Sequence, residues 1–152
     1  MKHIFLLLGS LFCTITGTSQ KLTVAEYAVM KAQKESEKSL FEKIVDRELP
    51  ATIVYEDEHV IAFVPLRPQA KVHYLIVPKK RINTVNDVTA SDIEIMGRLF
   101  LAARAVAEIA GIAETGYRLA VNTNRDAGQS EFHLHMHLIG GEFVGPMTNI
   151  RP

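Results

Sequence analysis

The amino-acid sequence predicts an α+β protein with a mostly antiparallel sheet, and three observations carry that prediction. Two β-branched runs, residues 52–55 and 60–64, flank the charged turn EDEH and predict a hairpin. Residues 86–111 repeat apolar side chains at the spacing of one amphipathic helix. Two further strand-like runs, residues 117–122 and 132–140, follow that helix, so a second strand pair completes the sheet.

The composition of the chain fits one compact domain and excludes some classes of partner. The chain has 152 residues, of which 47% are apolar, and this length suits a single core rather than two. Its 17 basic residues balance its 17 acidic residues, so it presents no broad basic field for a nucleic acid polymer. Any charged partner must therefore be recognised by a local site.

Residues 1–19 have the pattern of a secretory signal peptide. A basic start precedes an apolar run that is shorter than the roughly 20 residues of a membrane span, and small residues follow it up to Ser19. Cleavage after Ser19 would remove Cys13, the one cysteine, and leave no thiol in the mature chain. We expect a periplasmic or secreted protein that has no membrane association once the leader is cleaved. The alternative is a cytoplasmic protein whose translation starts at Met30.

A polar arm precedes the compact domain. Residues 20–38 are rich in Lys, Glu and Ala, which predicts a helical arm ahead of a domain at residues 39–152. The domain opens with apolar residues at helical spacing, which are Leu40, Phe41, Ile44 and Val45. Pro50 is expected to end this short helix, because proline lacks the backbone N–H that a helix needs.

The middle of the chain predicts a buried strand and then the long helix. The strand covers residues 72–77 and ends at Pro78. The helix has Thr89 or Ser91 as its N-cap, and Gly111 closes it in a left-handed conformation. Its predicted buried stripe consists of Ile93, Met96, Phe100, Ala103, Val106 or Ala107, and Ala110. We expect no catalytic residue in this helix.

Three histidines alternate with apolar residues in the last predicted strand. Side chains alternate faces along a strand, so His133, His135 and His137 share one face while the residues between them face the core. Three imidazoles of ordinary pKa about 6.5 repel one another when protonated, which lowers the pKa of at least one ring. The pattern therefore predicts a neutral, nucleophilic imidazole near neutral pH.

The residues alone leave two kinds of site open. Adjacent histidines could share one zinc ion, but the outer pair lies about 13 Å apart at about 3.3 Å per residue. No Asp or Glu in this strand completes such a metal site. In the other interpretation His135 is a nucleophile whose neighbours tune it, and neither a metal nor another cofactor is needed.

The histidine segment and its surroundings resemble a known family. HLHMHLI has the His-x-His-x-His pattern, and NTNRDAGQSEFHLHMHLIGG with upstream SLFEKIV, PQAKVHYLIVPKK and GYRLAVN resembles the Hint branch of the histidine triad (HIT) hydrolases. The resemblance extends over residues 39–141. It implies a HIT-fold homodimer, in which a five-stranded antiparallel sheet carries a short N-terminal helix and one long helix. It also implies hydrolysis of nucleoside phosphoramidate or related nucleotide phosphate bonds through a covalent nucleotidyl-histidine.

The same resemblance implies roles for individual residues. His135 attacks the α-phosphorus, while His133 and His137 orient that ring and contact phosphate oxygens. His73, on the neighbouring strand, joins the cluster, and Ser130 hydrogen-bonds the phosphate or the leaving atom. His137 stands where the transferase branch carries glutamine, which favours hydrolysis over nucleotidyl transfer.

The implied substrate-binding residues lie on two sides of the site. Asn122, Gly128 and Gln129 meet the phosphate side, the last two in a turn whose backbone N–H groups can face negative charge. The residues implied around the base are Leu40, Phe41, Ile44, Phe63 and Leu66.

The sequence departs from the family pattern in two places. Pro65 stands where Hint proteins carry the acidic residue that binds the ribose hydroxyls, in a stretch that reads FVPLRPQA here. A carboxylate there would accept charge-assisted hydrogen bonds worth about 1.5–3 kcal/mol each. The tail GEFVGPMTNIRP lacks the family's aromatic, proline-rich ending. A nucleotide- or anion-binding module with little turnover therefore stays as an alternative, and a metal-dependent hydrolase is the third.

Overall fold

The computed structural model describes residues 22–146, which form three helices and one sheet. The helices are α1 (Val24–Ser36), α2 (Leu40–Val45) and α3 (Ile93–Ile109). The strands are β1 (Ile53–Glu56), β2 (Val60–Phe63), β3 (Val72–Pro78), β4 (Tyr117–Ala120) and β5 (Met136–Gly140). The predicted signal peptide and residues 147–152 of the tail lie outside the described residues. Among residues 22–146, no helix is long and apolar enough to cross a bilayer.

The five strands form one antiparallel sheet in the order β1-β2-β3-β5-β4. The predicted hairpin is the β1–β2 pair. β5 lies between β3 and β4, so His137 sits opposite Leu75 on one side and Ala120 on the other. The predicted α+β fold, with a five-stranded antiparallel sheet, a short N-terminal helix and one long helix, is confirmed.

Alternation along the strands divides the core into two clusters, one on each face of the sheet. α3 packs on the first face, against residues such as Ile76 of β3 and Leu138 of β5. α2 covers the opposite face, where the buried cluster consists of Phe41, Ile44, Ile61, Phe63, Leu75 and Val77. His73 and His137 occupy the alternate strand positions to Ile76 and Leu138, so they point to the α2 face.

The face of α3 that is buried differs from the predicted buried stripe. Its buried residues are Leu99, Ala102, Ala103, Val106 and Ala107. Ile93 and Phe100, two residues of the predicted stripe, are 71% and 59% exposed. The buried carboxylate of Asp92 contacts the Lys80 ammonium at 2.5 Å, which ties the start of the helix to the end of β3. The buried residues of α3 pack on the sheet residues of the first cluster.

The ends of two helices also differ from prediction. The N-cap of α3 is Asp92, rather than Thr89 or Ser91, because one 3-10 turn precedes the helix. α2 ends well before Pro50, because Arg47 adopts a left-handed conformation with φ 62°. The short helix is therefore closed by its own C-terminal turn.

The last strand is shorter than predicted and starts directly after His135. Ahead of it, the N–H of Leu134 donates to the carbonyl oxygen of Ile82 at 2.6 Å. This bond ties the segment to the residues that follow β3, outside the β5 ladder. His133 and His135 therefore lie in the segment that leads into the strand, and His137 lies within it.

α1 lies against the same segment. A capping box starts this helix, in which the Thr23 hydroxyl accepts from the N–H of Glu26 and the Glu26 carboxylate accepts from the N–H of Thr23. Tyr27 is the buried residue of the helix, and its ring meets Phe132 edge to face with 5.7 Å between centroids. α1 thus packs on the residue that directly precedes His133.

Candidate active site

Four histidines and one phenylalanine form a continuous cluster of rings on the α2 face of the sheet. The ring centroids of His135 and His137 lie 5.0 Å apart, and those of His137 and His73 lie 5.2 Å apart. Phe41 of α2 packs against His133 at 5.9 Å and against His135 at 5.1 Å. The fold therefore brings together all four histidines that the sequence marks as candidates.

His133 is fully buried, and its hydrogen bonds define its tautomer. The Pro78 carbonyl can only accept, so His133 Nε2 carries the hydrogen and donates to it at 2.7 Å. In the neutral ring Nδ1 is then an acceptor, and the Ser39 hydroxyl donates to it at 2.8 Å. The Ser39 oxygen also accepts from the N–H of Glu42 at 3.0 Å, as the N-cap of α2. One serine thus caps a helix and holds a histidine.

The hydrogen bond of His135 leaves the lone pair of its ring on Nε2. His135 Nδ1 lies 2.8 Å from the carbonyl oxygen of His133, which can only accept, so Nδ1 carries the hydrogen. The ring is 8% exposed, which shields it from bulk water but leaves it within reach of a ligand. A positioned neutral imidazole of this kind is a competent nucleophile.

A chain of hydrogen bonds fixes the tautomer of His137. The N–H of Gln69 donates to His73 Nδ1 at 3.0 Å, so His73 Nε2 carries the hydrogen of that neutral ring. His73 Nε2 donates to His137 Nδ1 at 2.9 Å, which places the hydrogen of His137 on Nε2. His137 Nε2 is buried and has no hydrogen-bond partner within the described residues. An oxygen of a bound ligand can satisfy this donor.

Burial keeps these rings neutral near neutral pH. It is the largest cause that lowers the pKa of His73, His133 and His135 below the usual imidazole value. The pKa of His137 is lowered to about 4, first by burial and then by the neighbouring charges of His135 and His73. A neutral ring is what nucleophilic attack from Nε2 requires, because a protonated ring has no free lone pair there.

Metal binding is the other chemistry that a histidine cluster can support. In the part of the chain that the structure describes, no group of three or more His, Cys, Asp or Glu side chains is arranged to hold a metal ion. Nδ1 of His135 and Nε2 of His133 donate to backbone carbonyls instead. The geometry therefore favours the nucleophile interpretation.

Gln129 braces the loop between β4 and the histidines. Its side-chain oxygen accepts from the N–H of Asn124 at 2.8 Å, and its side-chain amide donates to the carbonyl oxygens of Asn83 and Glu131 at 2.9 and 3.1 Å. The backbone N–H groups of Gln129 and Gly128 also donate within the loop. The loop uses these groups for its own shape, so a contact of Gly128 or Gln129 with phosphate stays a prediction.

Ser130 and Asn122 lie at the two ends of the same loop. Ser130 is exposed, and its hydroxyl makes no hydrogen bond within residues 22–146, while its carbonyl accepts from Lys34 of α1 at 2.8 Å. Asn122 follows β4 and is half-buried. The roles of both side chains toward phosphate stay predictions.

The residues expected around a base separate into two groups. Phe41, Ile44 and Phe63 are buried together in the cluster under α2, and Phe41 meets Phe63 edge to face at 5.5 Å. Leu40, at the start of α2, is 40% exposed. Leu66 is 93% exposed, because it lies in the loop between β2 and β3 rather than on either strand. The structure therefore places Leu66 outside the buried cluster that contains Phe41, Ile44 and Phe63.

Comparison with known proteins decides the family. Residues 46–144 match the family model described as the HIT domain. The chain belongs to the HIT family. The purine nucleoside phosphoramidase of Escherichia coli strain K12 is 51% identical over 112 residues, which are 74% of this chain and 94% of that protein. The adenylylsulfatase HINT1 of Arabidopsis thaliana is 36% identical over 143 residues, which are 93% of this chain and 95% of that protein.

Solved structures of HIT proteins share this fold. A HIT family hydrolase from Clostridium thermocellum has a TM-score of 0.70 and 51% identity, over 72% of this chain and 96% of that chain. A HIT family hydrolase from Legionella pneumophila has a TM-score of 0.67 and 46% identity, over 69% of this chain and 94% of that chain. The resemblance noted from the histidine segment is confirmed.

This HIT site also uses residues that the sequence prediction missed. Ser39 holds His133, and the Glu42 carboxylate accepts from the Ser39 N–H at 2.7 Å and from Arg81 at 3.1 Å. Residues 39–42 read Ser-x-x-Glu, the capping-box pattern, so a sequence signal for Ser39 and Glu42 existed. No such signal marks Arg81, which is one of three consecutive basic residues.

Proposed function

We propose that this HIT protein is a hydrolase that cleaves nucleoside phosphoramidate or related nucleotide phosphate bonds through a covalent intermediate on His135. One observation carries the proposal. The Nδ1–H of His135 is bound to the His133 carbonyl, which leaves a lone pair on Nε2 beside a ring, His137, whose buried N–H has no partner within the described residues. The printed names of the relatives from Escherichia coli and Arabidopsis thaliana support the nucleotide substrate class.

The proposed reaction has two steps at phosphorus. The lone pair of His135 Nε2 forms a bond to phosphorus while the bond to the leaving amine or oxygen breaks, and the leaving group takes that electron pair and a proton from solvent. Water then forms a bond to phosphorus and releases a proton to solvent, and the electrons of the phosphorus–nitrogen bond return to Nε2. His137 Nε2–H donates to a phosphoryl oxygen on which charge develops, which stabilises both transition states.

The test of this reaction is a search for the intermediate. The protein is incubated with adenosine, guanosine and non-nucleoside phosphoramidates, quenched and digested, and the peptide that contains His135 is examined by mass spectrometry. We expect a nucleotidyl adduct on that peptide, and we expect His135→Ala to abolish turnover while the protein stays folded. His59→Ala is the matched control, because His59 lies in the β1–β2 turn outside the cluster. Full activity of His135→Ala contradicts the proposal.

A second candidate function is a nucleotide- or anion-binding module with little turnover. Pro65 and the exposed Leu66 favour it, since this loop presents no carboxylate where ribose hydroxyls are expected. The same panel separates the two functions. Tight binding of nucleoside monophosphate without any adduct on His135 would support the binding module and contradict the hydrolase.

We propose in addition that the protein forms a homodimer through the outer face of α3. Large apolar side chains on that helix are exposed, namely Ile93, Phe100, Leu101 and Ile109 at 59–71%. Exposed apolar side chains of this kind favour a partner, and within residues 22–146 the edge strand β4 pairs with β5 alone. A second copy of the chain would cover both features symmetrically.

We also propose export, with residues 1–19 as a cleaved signal peptide. The sequence pattern of the leader supports this, and the packing of Tyr27 on Phe132 supports a translation start upstream of Met30. Intact mass measured on the protein from the periplasmic or extracellular fraction should show the loss of residues 1–19. Full-length protein confined to the cytoplasm would contradict export.

A further inference from the structure

Arg81 joins three parts of the molecule at the edge of the histidine cluster. Its guanidinium donates to the carbonyl oxygen of Lys34, in the last turn of α1, at 2.9 Å. It also donates to the carbonyl oxygen of Glu37, the C-cap of α1, at 2.5 Å. It donates to the Glu42 carboxylate in the first turn of α2 at 3.1 Å and, through Nε, to the Phe132 carbonyl at 3.2 Å. Only a planar fork of five N–H donors can serve so many acceptors at once.

Two of these contacts lead to the nucleophile. Phe132 directly precedes His133, whose own carbonyl accepts from His135 Nδ1. On the other side, Glu42 accepts from the N–H of Ser39, whose hydroxyl donates to the His133 ring. Arg81 therefore holds the backbone ahead of His133 and the helix turn that holds its side chain.

We infer that Arg81 is a positioning residue: its fork fixes the segment at Phe132 and His133, and through the His133 carbonyl it keeps His135 in the Nδ1–H tautomer that leaves Nε2 free to attack. The inference rests on the proposed function for its kinetic part. The tautomer of His135 is a property of the protein without substrate. If Arg81 only stabilised α1, its substitution would change neither the His135 tautomer nor the kcat of a variant that still folds.

The Arg81 guanidinium is also suited to a kinetic rather than a binding effect. It is 19% exposed, and its single Nε–H is shared between the Asn83 side chain at 2.9 Å and the Phe132 carbonyl at 3.2 Å. Both Nη1–H groups and one Nη2–H group also have acceptors, so four of its five N–H donors are occupied within the described residues. It therefore has little capacity left for a substrate oxygen. Loss of its side chain should lower kcat while KM stays close to that of the unmodified protein.

The experiment compares Arg81→Leu and Arg81→Lys with the unmodified full chain and with Arg47→Leu. Arg47 is the matched control, since its guanidinium pairs with Glu56 of β1, away from the histidine cluster and from α3. We expect Arg81→Leu to lower kcat by about 10- to 100-fold, the cost of a misplaced reacting group, with KM changed by less than about threefold. Arg81→Lys keeps the positive charge without the guanidinium fork. Its kcat should lie between that of Arg81→Leu and that of the unmodified protein.

The second readout is nitrogen-15 NMR of the histidine rings without substrate. His135 should be the Nδ1–H tautomer in the unmodified protein and in Arg47→Leu, and a mixture of tautomers in Arg81→Leu. Thermal unfolding checks that each variant is folded. If Arg81→Leu does not fold, the His135 tautomer and the kcat of Arg81→Lys test the inference instead. An unchanged tautomer, or a loss expressed in KM alone, overturns the inference. Absence of turnover in the unmodified protein overturns the proposed function instead, and the tautomer comparison still decides the role of Arg81.

Discussion

In the neutral His137 ring, Nε2 carries the hydrogen because Nδ1 accepts from His73. A second proton on the ring would remove that acceptor and place two donors against each other. It would also put a positive charge among buried rings, which is why burial and the two neighbouring histidines lower the pKa of His137 to about 4. Protonation of this ring therefore opposes the folded arrangement of the site.

The first prediction concerns stability between pH about 4 and the ordinary imidazole value of about 6.5. In this window the unfolded chain binds a proton at His137 and the folded protein does not, because the folded pKa is lowered to about 4. The free energy of unfolding is therefore complete above this window and falls as the pH decreases through it. Urea unfolding at several pH values measures this slope.

A histidine variant isolates the contribution of His137 to that slope. His137→Gln removes the titrating ring, so its free energy of unfolding should depend on pH less steeply, by at most about one proton. His59→Gln, which removes a histidine outside the cluster, is the comparison variant. Equal slopes for His137→Gln and the unmodified protein would show that the ring does not oppose protonation in the fold.

At this scale the sequence predicts which residues meet but not how their hydrogens are arranged. Alternation along the chain is enough to place His133, His135 and His137 on one face, because it depends on local geometry alone. The tautomers depend on Pro78 and Gln69, which are distant in sequence and contribute only backbone groups. Backbone contacts of this kind leave no mark on residue types.

Among the elements, α2 links the stability of a helix to the orientation of a histidine. Ser39 and Thr23 both serve as N-caps in capping boxes, but only Ser39 also donates to a histidine. Ser39→Ala removes a cap worth about 1 kcal/mol. It also leaves the buried His133 Nδ1 without a donor, at a further cost of about 1–3 kcal/mol.

The second prediction compares these two caps. Ser39→Ala should lower the free energy of unfolding by about 2–4 kcal/mol and lower kcat, because His133 loses the donor that orients it. Thr23→Ala should lower it by about 0.5–1 kcal/mol, the cost of an exposed cap, and leave kcat unchanged. Urea unfolding and steady-state kinetics of the two variants measure both effects. Equal kcat values for the two variants would show that the Ser39 hydroxyl serves the helix alone.

The α3 helix shows why the type of an element is easier to predict than its orientation. The presence of one long amphipathic helix is evident in the sequence and is confirmed, although the helix begins at Ile93, later than the predicted caps. It carries two apolar stripes, one with Leu99 and Ala103 that is buried and one with Ile93 and Phe100 that is exposed. Spacing cannot distinguish a stripe that faces the core from one that faces a partner, and the predicted stripe mixes the two.

At the scale of the whole molecule, the exposed stripe of α3 becomes the argument for a dimer. Phe100 and Leu101 are 59% and 61% exposed and lie next to each other on the outer face of the helix. Full burial of one such side chain contributes about 1.5–3 kcal/mol. In a two-fold interface every residue occurs twice, so a single substitution removes that contribution from both subunits.

The third prediction follows from this doubling. Phe100→Glu should weaken self-association by about 3–6 kcal/mol, which is about 100-fold or more in the dissociation constant. The matched control is Val29→Glu on α1, where an equally exposed apolar residue, 70% accessible, lies on a different helix. Sedimentation velocity over a concentration series should show a dimer for the unmodified protein and for Val29→Glu, and a monomer for Phe100→Glu. A monomeric unmodified protein, or a Phe100→Glu dimer of unchanged affinity, would mean that the apolar face of α3 serves another purpose.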